Sequence, residues 1–351
     1  MRVLVDVGHP AHVHLFRHAI RIWEKRGYKV VITARDKDIT TQLLSLYGFK
    51  YHIASHARQG TLGLLLELFE HDWKVFQVAQ HFKANVLLGT SVAISHVSRL
   101  LPARSIVFNE DDVASARAFA RLSYPFADLI ATPTSLPDDL GKKHIRYPSY
   151  QELAYLHPCR FQPNPAVLDQ LGVEEGEPYS VLRFVAFRAA HDAGQKGISL
   201  DTQHALINLL KEHGRVFITS EDDLPSEFSQ YRIQIPPHKI HDVLAFANLF
   251  VGDSQSMTIE AAVLGTPAIR CNTFVGRCPV IEELEQRYKL TFGFLPRDEK
   301  SMLDMVRSLM GSDNLKDEWL KRRDAMLEDK IDLTAWMVPF VENYAIQGAM
   351  S

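Results

Sequence analysis

Nowhere in this sequence do eighteen uncharged apolar residues follow one another, so hydropathy offers no membrane-crossing helix. The first residues lack a basic stretch leading into an apolar core, and Val3-Leu4-Val5-Asp6-Val7 is strand-like from the start, which argues against a secretory signal. Cysteine is scarce: Cys159, Cys271 and Cys278 form neither a C-x-x-C pair nor a Cys/His zinc spacing. That usage fits a reducing cytoplasm and leaves Cys271 and Cys278 buried or incidental rather than catalytic. There is no excess of one charge either, with a formal net charge of −3, so nothing draws the chain to nucleic acid. No G-x-G-x-x-G turn follows any predicted strand, which removes a dinucleotide-dependent oxidoreductase. Tandem repeats and low-complexity blocks are absent as well.

What is present is a chain of 351 residues, 46% hydrophobic, long enough to bury two α/β cores. Short β-branched runs at 3–7, 30–33, 86–88, 106–108 and 129–131 alternate with helical patterns, which predicts a parallel, doubly wound sheet. Residues 13–25 put Leu15, Ile20, Ile22 and Trp23 near one helical face and stop at Gly27, a C-cap signal. Four prolines within 147–165 break regular structure and read as the connection between domains. The second half is expected to find its first strand near Tyr179. Strands at 181–185, 216–219, 233–235, 249–252, 268–270 and 291–294 and helices at 203–212 and 240–247 then repeat the pattern. The tail, 316–345, reads as helical.

The strongest signal lies in residues 249–267, where a strand runs through a polar turn into a helix opening with Ser254, Gln255 and Ser256. A helix start presents unpaired N–H groups and the positive end of the dipole, so this turn suits a diphosphate. Glu260, about one and a half turns further on, is positioned to accept the hydroxyls of a ribose. The alternative is an ordinary capped helix with Glu260 in solvent.

The spacing in Glu260-Ala-Ala-Val-Leu-Gly265-Thr-Pro267 resembles that of GT-B glycosyltransferases using nucleotide-diphosphate sugars, and of UDP-N-acetylglucosamine 2-epimerases. In those families the Ser/Gly turn binds the diphosphate and the Glu binds the ribose. The epimerases carry a Ser-Gly-Gly turn where this chain has side chains at Gln255 and Ser256. The chain as a whole looks like the domain-of-unknown-function family numbered 354, described as predicted glycosyltransferases. The stretches that match are Glu152-Leu-Ala-Tyr-Leu-His157-Pro, Leu182-Arg-Phe-Val-Ala-Phe-Arg-Ala-Ala-His191-Asp192, and residues 253–267.

The resemblance implies a GT-B architecture, two Rossmann-like, doubly wound parallel-sheet domains facing across a cleft. Residues 1–160 would be the acceptor domain and 161–330 the donor domain, with a terminal helix, 331–351, packing back on the first by fold analogy. It implies no cofactor and no metal, the partner being a nucleotide sugar, UDP-linked by expectation, and a glycan or lipid-linked acceptor.

Ligands sit at the carboxyl ends of parallel strands, so the loops there hold the candidates. After the first strand, His9, His12 and His14 fall within six positions. His9 and His12 are candidate general base and substrate binder, because an imidazole can take the proton of an acceptor hydroxyl. Their spacing matches no zinc motif. Glu110 and Asp111 in Asn109-Glu110-Asp111-Asp112 are the alternative, carboxylate base, with an acidic helix start as the plainer reading. In the second half, Arg188 and more weakly Arg183 are candidates to meet diphosphate charge, with His191 and Asp192 beside them. The GT-B resemblance puts base contacts at His238 and Ile240.

The leading expectation is transfer of a sugar to an acceptor hydroxyl in cell-surface glycan synthesis, in the cytoplasm. A 2-epimerase and a non-catalytic nucleotide-sugar-binding protein are the rivals. Residues 61–69 are apolar around the helix and read as buried, with peripheral contact at the inner face of the cytoplasmic membrane as the lesser reading.

Overall fold

In a computed structural model, residues 1–184, 196–220 and 224–349 are described. The chain divides into two units, Met1–Arg160 with Lys330–Ser351, and Phe161–Asp329.

The first unit winds β1 (Arg2–Val7), α1 (Pro10–Lys25), β2 (Lys29–Asp36), α2 (Thr40–Leu46), β3 (His52–His56), α3 (Gly60–Phe82) and β4 (Val86–Gly89). It continues through α4 (Val92–Ser98), β5 (Arg104–Phe108), α5 (Arg117–Ser123), β6 (Leu129–Pro133) and β7 (His144–Tyr147). All seven strands are parallel, in the order β3-β2-β1-β4-β5-β6-β7. Helices cover both faces of such a sheet, so β1 is buried along Val3, Leu4, Val5 and Val7.

The second unit holds α6 (Ala166–Leu171), β8 (Tyr179–Phe184), α7 (Leu200–Lys211), β9 (Arg215–Ser220), α8 (Ile240–Phe246), β10 (Leu249–Gly252) and α9 (Gln255–Leu264). It closes with β11 (Ala268–Cys271), α10 (Pro279–Gln286), β12 (Thr291–Phe294), α11 (Glu299–Met310) and α12 (Leu315–Asp329). Its five strands are also parallel, ordered β12-β11-β10-β8-β9. The order reverses between β1 and β4 in one sheet and between β8 and β10 in the other.

Both switch points are built alike. Asp6 on β1 pairs in register with Thr33 on one side and Gly89 on the other, and Thr33 Oγ1 donates to its carboxylate at 2.6 Å. Arg183 on β8 pairs in register with Thr219 and Gly252, and its guanidinium donates to Thr219 Oγ1 at 3.0 Å. A Cβ on Gly89 would lie 2.6 Å from the Asp6 carbonyl oxygen, and one on Gly252 2.7 Å from that of Arg183. Both neighbours are backbone atoms of a paired strand and have nowhere to retreat. Gly252→Ala is therefore expected to cost about 1–3 kcal/mol, read as a lowered urea midpoint; an unchanged midpoint would show that the strands spread freely.

Several sequence expectations are corrected. Residues 233–235 form no strand; a 3-10 turn over Ser226–Tyr231 leads to one isolated bridge between Ile218 and Arg232. The proline-rich stretch 147–165 does hold the division between the units, after Arg160, but its first part is no linker, because Tyr147, Tyr150, Leu153, Ala154 and Tyr155 are buried in the first unit. The helical tail is two helices broken at 330–332, α12 in the second unit and α13 (Leu333–Ala349) in the first. There Thr334 donates to the Ala154 carbonyl, Arg160 pairs with Asp332 at 2.7 Å, and Trp336 packs on Tyr147. Residues 61–69 are not wholly buried: Leu62, Leu65, Leu66 and Phe69 lie exposed on α3.

Candidate functional site

In the second unit the switch point opens onto the start of α9. Ser254 occupies the N-cap, its hydroxyl accepting from the Met257 N–H at 3.4 Å, while Thr258 Oγ1 donates back to the Ser254 carbonyl at 2.6 Å. Asn272 fastens the turn from β11 by donating to the Asp253 carbonyl at 2.8 Å. The half-buried Gln255 and Ser256 form the first turn, where backbone N–H groups point out along the helix axis. Arg270, level with Gly252 on the adjacent strand, is fully buried beside them. Its guanidinium reaches Gln255 Oε1 at 3.5 Å and Glu282 Oε1 at 3.2 Å, and among the described residues its buried Nε has no hydrogen-bond partner. A helix N-terminus and a buried cation with a donor to spare both favour an anion.

Glu260 follows on α9 but does not stand in solvent. It is buried, and His241 of α8, itself almost fully buried, donates from Nε2 to Glu260 Oε1 at 3.0 Å. His238 lies in the 3-10 turn Pro237–Lys239 and Ile240 begins α8, both half-buried. Arg188, His191 and Asp192 lie outside the described residues.

In the first unit the loop after β1 places its three histidines differently. His9 is the N-cap of α1, its Nδ1 accepting from the Ala11 N–H at 3.2 Å. His12 accepts from the Gly8 N–H at Nδ1, 3.2 Å, and the Thr90 hydroxyl at the end of β4 lies 2.6 Å from its ring nitrogens. Burial, with the neighbouring His9, depresses the His12 pKa to about 3, against the pull of Asp6. His14 is a packing residue, buried, stacked on Tyr155 and bonded to the Tyr47 hydroxyl at 3.2 Å. Among the described residues no three His, Cys, Asp or Glu side chains gather as metal ligands.

The acidic loop after β5 separates Glu110 from Asp111. Asp111 is exposed, whereas burial and the Asp111 charge push the Glu110 carboxyl up to about 8, a hydrogen bond from the Gln151 backbone opposing them. Glu110 Oε2 is buried with no hydrogen-bond partner among the described residues. At neutral pH Glu110 is thus a protonated acid and His12 a neutral acceptor, the reverse of a carboxylate-base arrangement.

Beneath the histidine loop lies an ion pair that sequence reading missed. Asp6 is fully buried, and His71 of α3 meets it at 2.9 Å through Nε2 while its Nδ1 lies 2.7 Å from Ser55 Oγ. Burial, the largest influence on each, opposes both charges; the attraction of the pair outweighs it, lowering the Asp6 pKa and raising that of His71.

A family model described as "Protein of unknown function (DUF354)" matches residues 1–300. The chain belongs to that family.

A relative of this DUF354 protein, an uncharacterized protein of Methanocaldococcus jannaschii, is 23% identical over 285 residues, which are 77% of this chain and 81% of the relative. Among solved structures, the spinosyn forosaminyltransferase SpnP is similar with a TM-score of 0.66 at 16% identity, covering 99% of both chains. The UDP-GlcNAc 2-epimerase of Neisseria meningitidis, bound to UDP-GlcNAc, gives 0.64 at 12% identity, covering 98% of this chain and all of that one. At such identity the likeness shows the fold, and the fold is GT-B, with two parallel-sheet α/β domains.

Of the residues that sequence reading missed, Arg270 carried a usable signal. It stands inside the apolar run Ala268-Ile-Arg-Cys271, where an arginine needs a partner or a strand end. His241 and His71 carried none, since each is defined by a partner distant in the chain.

Proposed function

We propose that this protein is a glycosyltransferase that moves a sugar from a nucleotide-diphosphate sugar, UDP-linked by preference, to an acceptor hydroxyl in cell-surface glycan synthesis, without a metal. The observation that carries the reading is the start of α9 at the second sheet's switch point, with Arg270 buried beside it. The diphosphate is assigned to the N–H groups of Ser254, Gln255 and Ser256, and the ribose to Glu260, which His241 holds in place. Arg188, His191, His238 and Ile240 are assigned to the donor on the family resemblance.

The chemistry assigned to the first unit is proton removal. The proton acceptor assigned is His12, with His9 as substrate binder; because burial holds the free His12 pKa at about 3, it takes the proton only as the acceptor oxygen attacks the anomeric carbon and the bond to the diphosphate breaks. Charge growing on the departing nucleoside diphosphate is answered by the α9 terminus and Arg270. Glu110 is a hydrogen-bond donor in this scheme, and no role as base is given to it or to Asp111. The side chains at Gln255 and Ser256 favour transfer over epimerisation, whose enzymes carry glycines there.

The test is a thermal-shift panel of nucleoside diphosphates and nucleotide sugars on the wild type and Glu260→Ala. One nucleotide is expected to raise the melting temperature of the wild type, and less so that of the variant, because a ligand of the folded state stabilises it by mass action. No shift with any nucleotide would remove the reading. Turnover of the donor without an acceptor would replace it with the epimerase, and tight binding without turnover with a non-catalytic binder.

A further inference from the structure

The first residue of α9 carries a long side chain, and a single partner fixes which way its amide faces. Gln255 is half-buried, and its Oε1 lies 3.5 Å from Nη1 of Arg270. An arginine only donates hydrogen bonds, so the amide must turn its oxygen towards it. The opposite orientation would set the NH2 group against the guanidinium, donor against donor. Arg270 has no room to swing aside, being fully buried, with Nη2 on Glu282 Oε1 at 3.2 Å. Glu282 is anchored in turn by the Gly276 N–H, 2.9 Å from the same oxygen. The NH2 group of Gln255 therefore points away from Arg270, and among the described residues it has no acceptor.

Burial also limits what Arg270 itself can do. A guanidinium with no exposed surface does not touch a ligand without unpacking, and the charges of Glu282 and Glu285 on α10 offset its own. Its reach towards the start of α9 is through Gln255, whose amide it polarises as well as orients. Where a glycine in the first turn of a helix offers an anion only its N–H, this side chain adds two further donors in the same turn.

We propose that the Gln255 carboxamide donates directly to a phosphate group held at the start of α9, and that Arg270 is a positioning residue that acts on the phosphate only through this amide. The contact supplements the backbone N–H groups of the turn. It also makes position 255 decisive for charge: an amide there receives an anion, whereas a carboxylate would pair with Arg270 and repel it. The inference rests on the reading of this turn as a diphosphate site and on nothing in the first unit.

The test is calorimetric titration of the full chain with inorganic pyrophosphate and with UDP. Gln255→Met, similar in length but without donors, is expected to weaken pyrophosphate binding at least about tenfold. Gln255→Glu is expected to weaken it roughly a hundredfold or more. Its ligand-free melting temperature should be no lower than that of the wild type, because the carboxylate gains Arg270 as a partner. Arg270→Met with Glu282→Gln removes the buried pair together, and Gln255→Met added to it should cost little more, since the cation acts through the amide. In NMR spectra of side-chain amides, the signals missing from Gln255→Met should move when pyrophosphate is added, and move less in the Arg270→Met, Glu282→Gln variant. The inference is overturned if either Gln255 variant binds pyrophosphate as the wild type does, or if the Gln255 and Arg270 losses simply add. Pyrophosphate binding that needs Gln255, with no binding of any nucleotide, would keep the inference and remove the donor reading; nucleotide binding indifferent to Gln255 would do the reverse. Binding of neither removes both.

Discussion

Replacing His71 by alanine is expected to destabilise the first unit by about 3–5 kcal/mol, the usual cost of stranding one member of a buried ion pair. The stranded group is Asp6, which has no exposed surface and would keep only neutral donors such as Thr33. The effect carries a pH signature. The raised pKa of His71 gives stability that is full below the ordinary histidine value and is lost as pH rises through the folded value. The lowered pKa of Asp6 gives stability present above the ordinary carboxylate value and lost as pH falls through the folded one. The wild type should therefore exceed His71→Ala most in the window between those two ordinary values, about 4 to 6.5. Urea unfolding followed through Trp23, buried in the first unit, reads it. A loss below about 1 kcal/mol at pH 6 would mean that water replaces the imidazole at little cost.

Glu110→Gln is expected to act in the opposite direction. A carboxyl whose pKa is raised to about 8 stabilises the fold fully below its unfolded value and ceases to do so as pH rises through 8. The two pH units from 6 to about 8 correspond to roughly 3 kcal/mol of lost stability in the wild type. Glutamine has no proton to lose and keeps a donor in place, so the variant should melt at nearly the same temperature at pH 6 and pH 9. If the wild type is equally flat, the carboxyl ionises without penalty and the buried Oε2 has found water. Should the protein prove to be a transferase with Glu110 donating to substrate, its activity would fall on the same alkaline limb.

The inner strands were legible because a strand covered on both faces is mostly apolar: β4 and β10 are so throughout, and β1, β5 and β8 are so over 3–5, 106–108 and 181–182. β3 and β7 escaped for the converse reason. They stand at the two edges of the first sheet, and His52-Ile-Ala-Ser-His56 and His144-Ile-Arg-Tyr147 carry the polar residues that edges tolerate. On α3, apolar residues all around the helix imply burial only if each face has something to meet, and among the described residues one of its faces is left exposed. At the candidate site the turn at Ser254 was readable because a cap and a helix start are local in sequence. The protonation states of His12 and Glu110 were not, being set by burial that only the assembled loops create.

The matched switch points have a consequence for how the two halves came to differ. Each folds a charged residue between a threonine that hydrogen-bonds it and a glycine that gives its backbone room, yet the charge is negative at Asp6 and positive at Arg183. If the halves descend from one duplicated ancestor, a single codon position would have set their polarity. The aspartate pulls the His12 pKa upward, a pull that burial outweighs, and the arginine sets a positive charge at the second half's switch point.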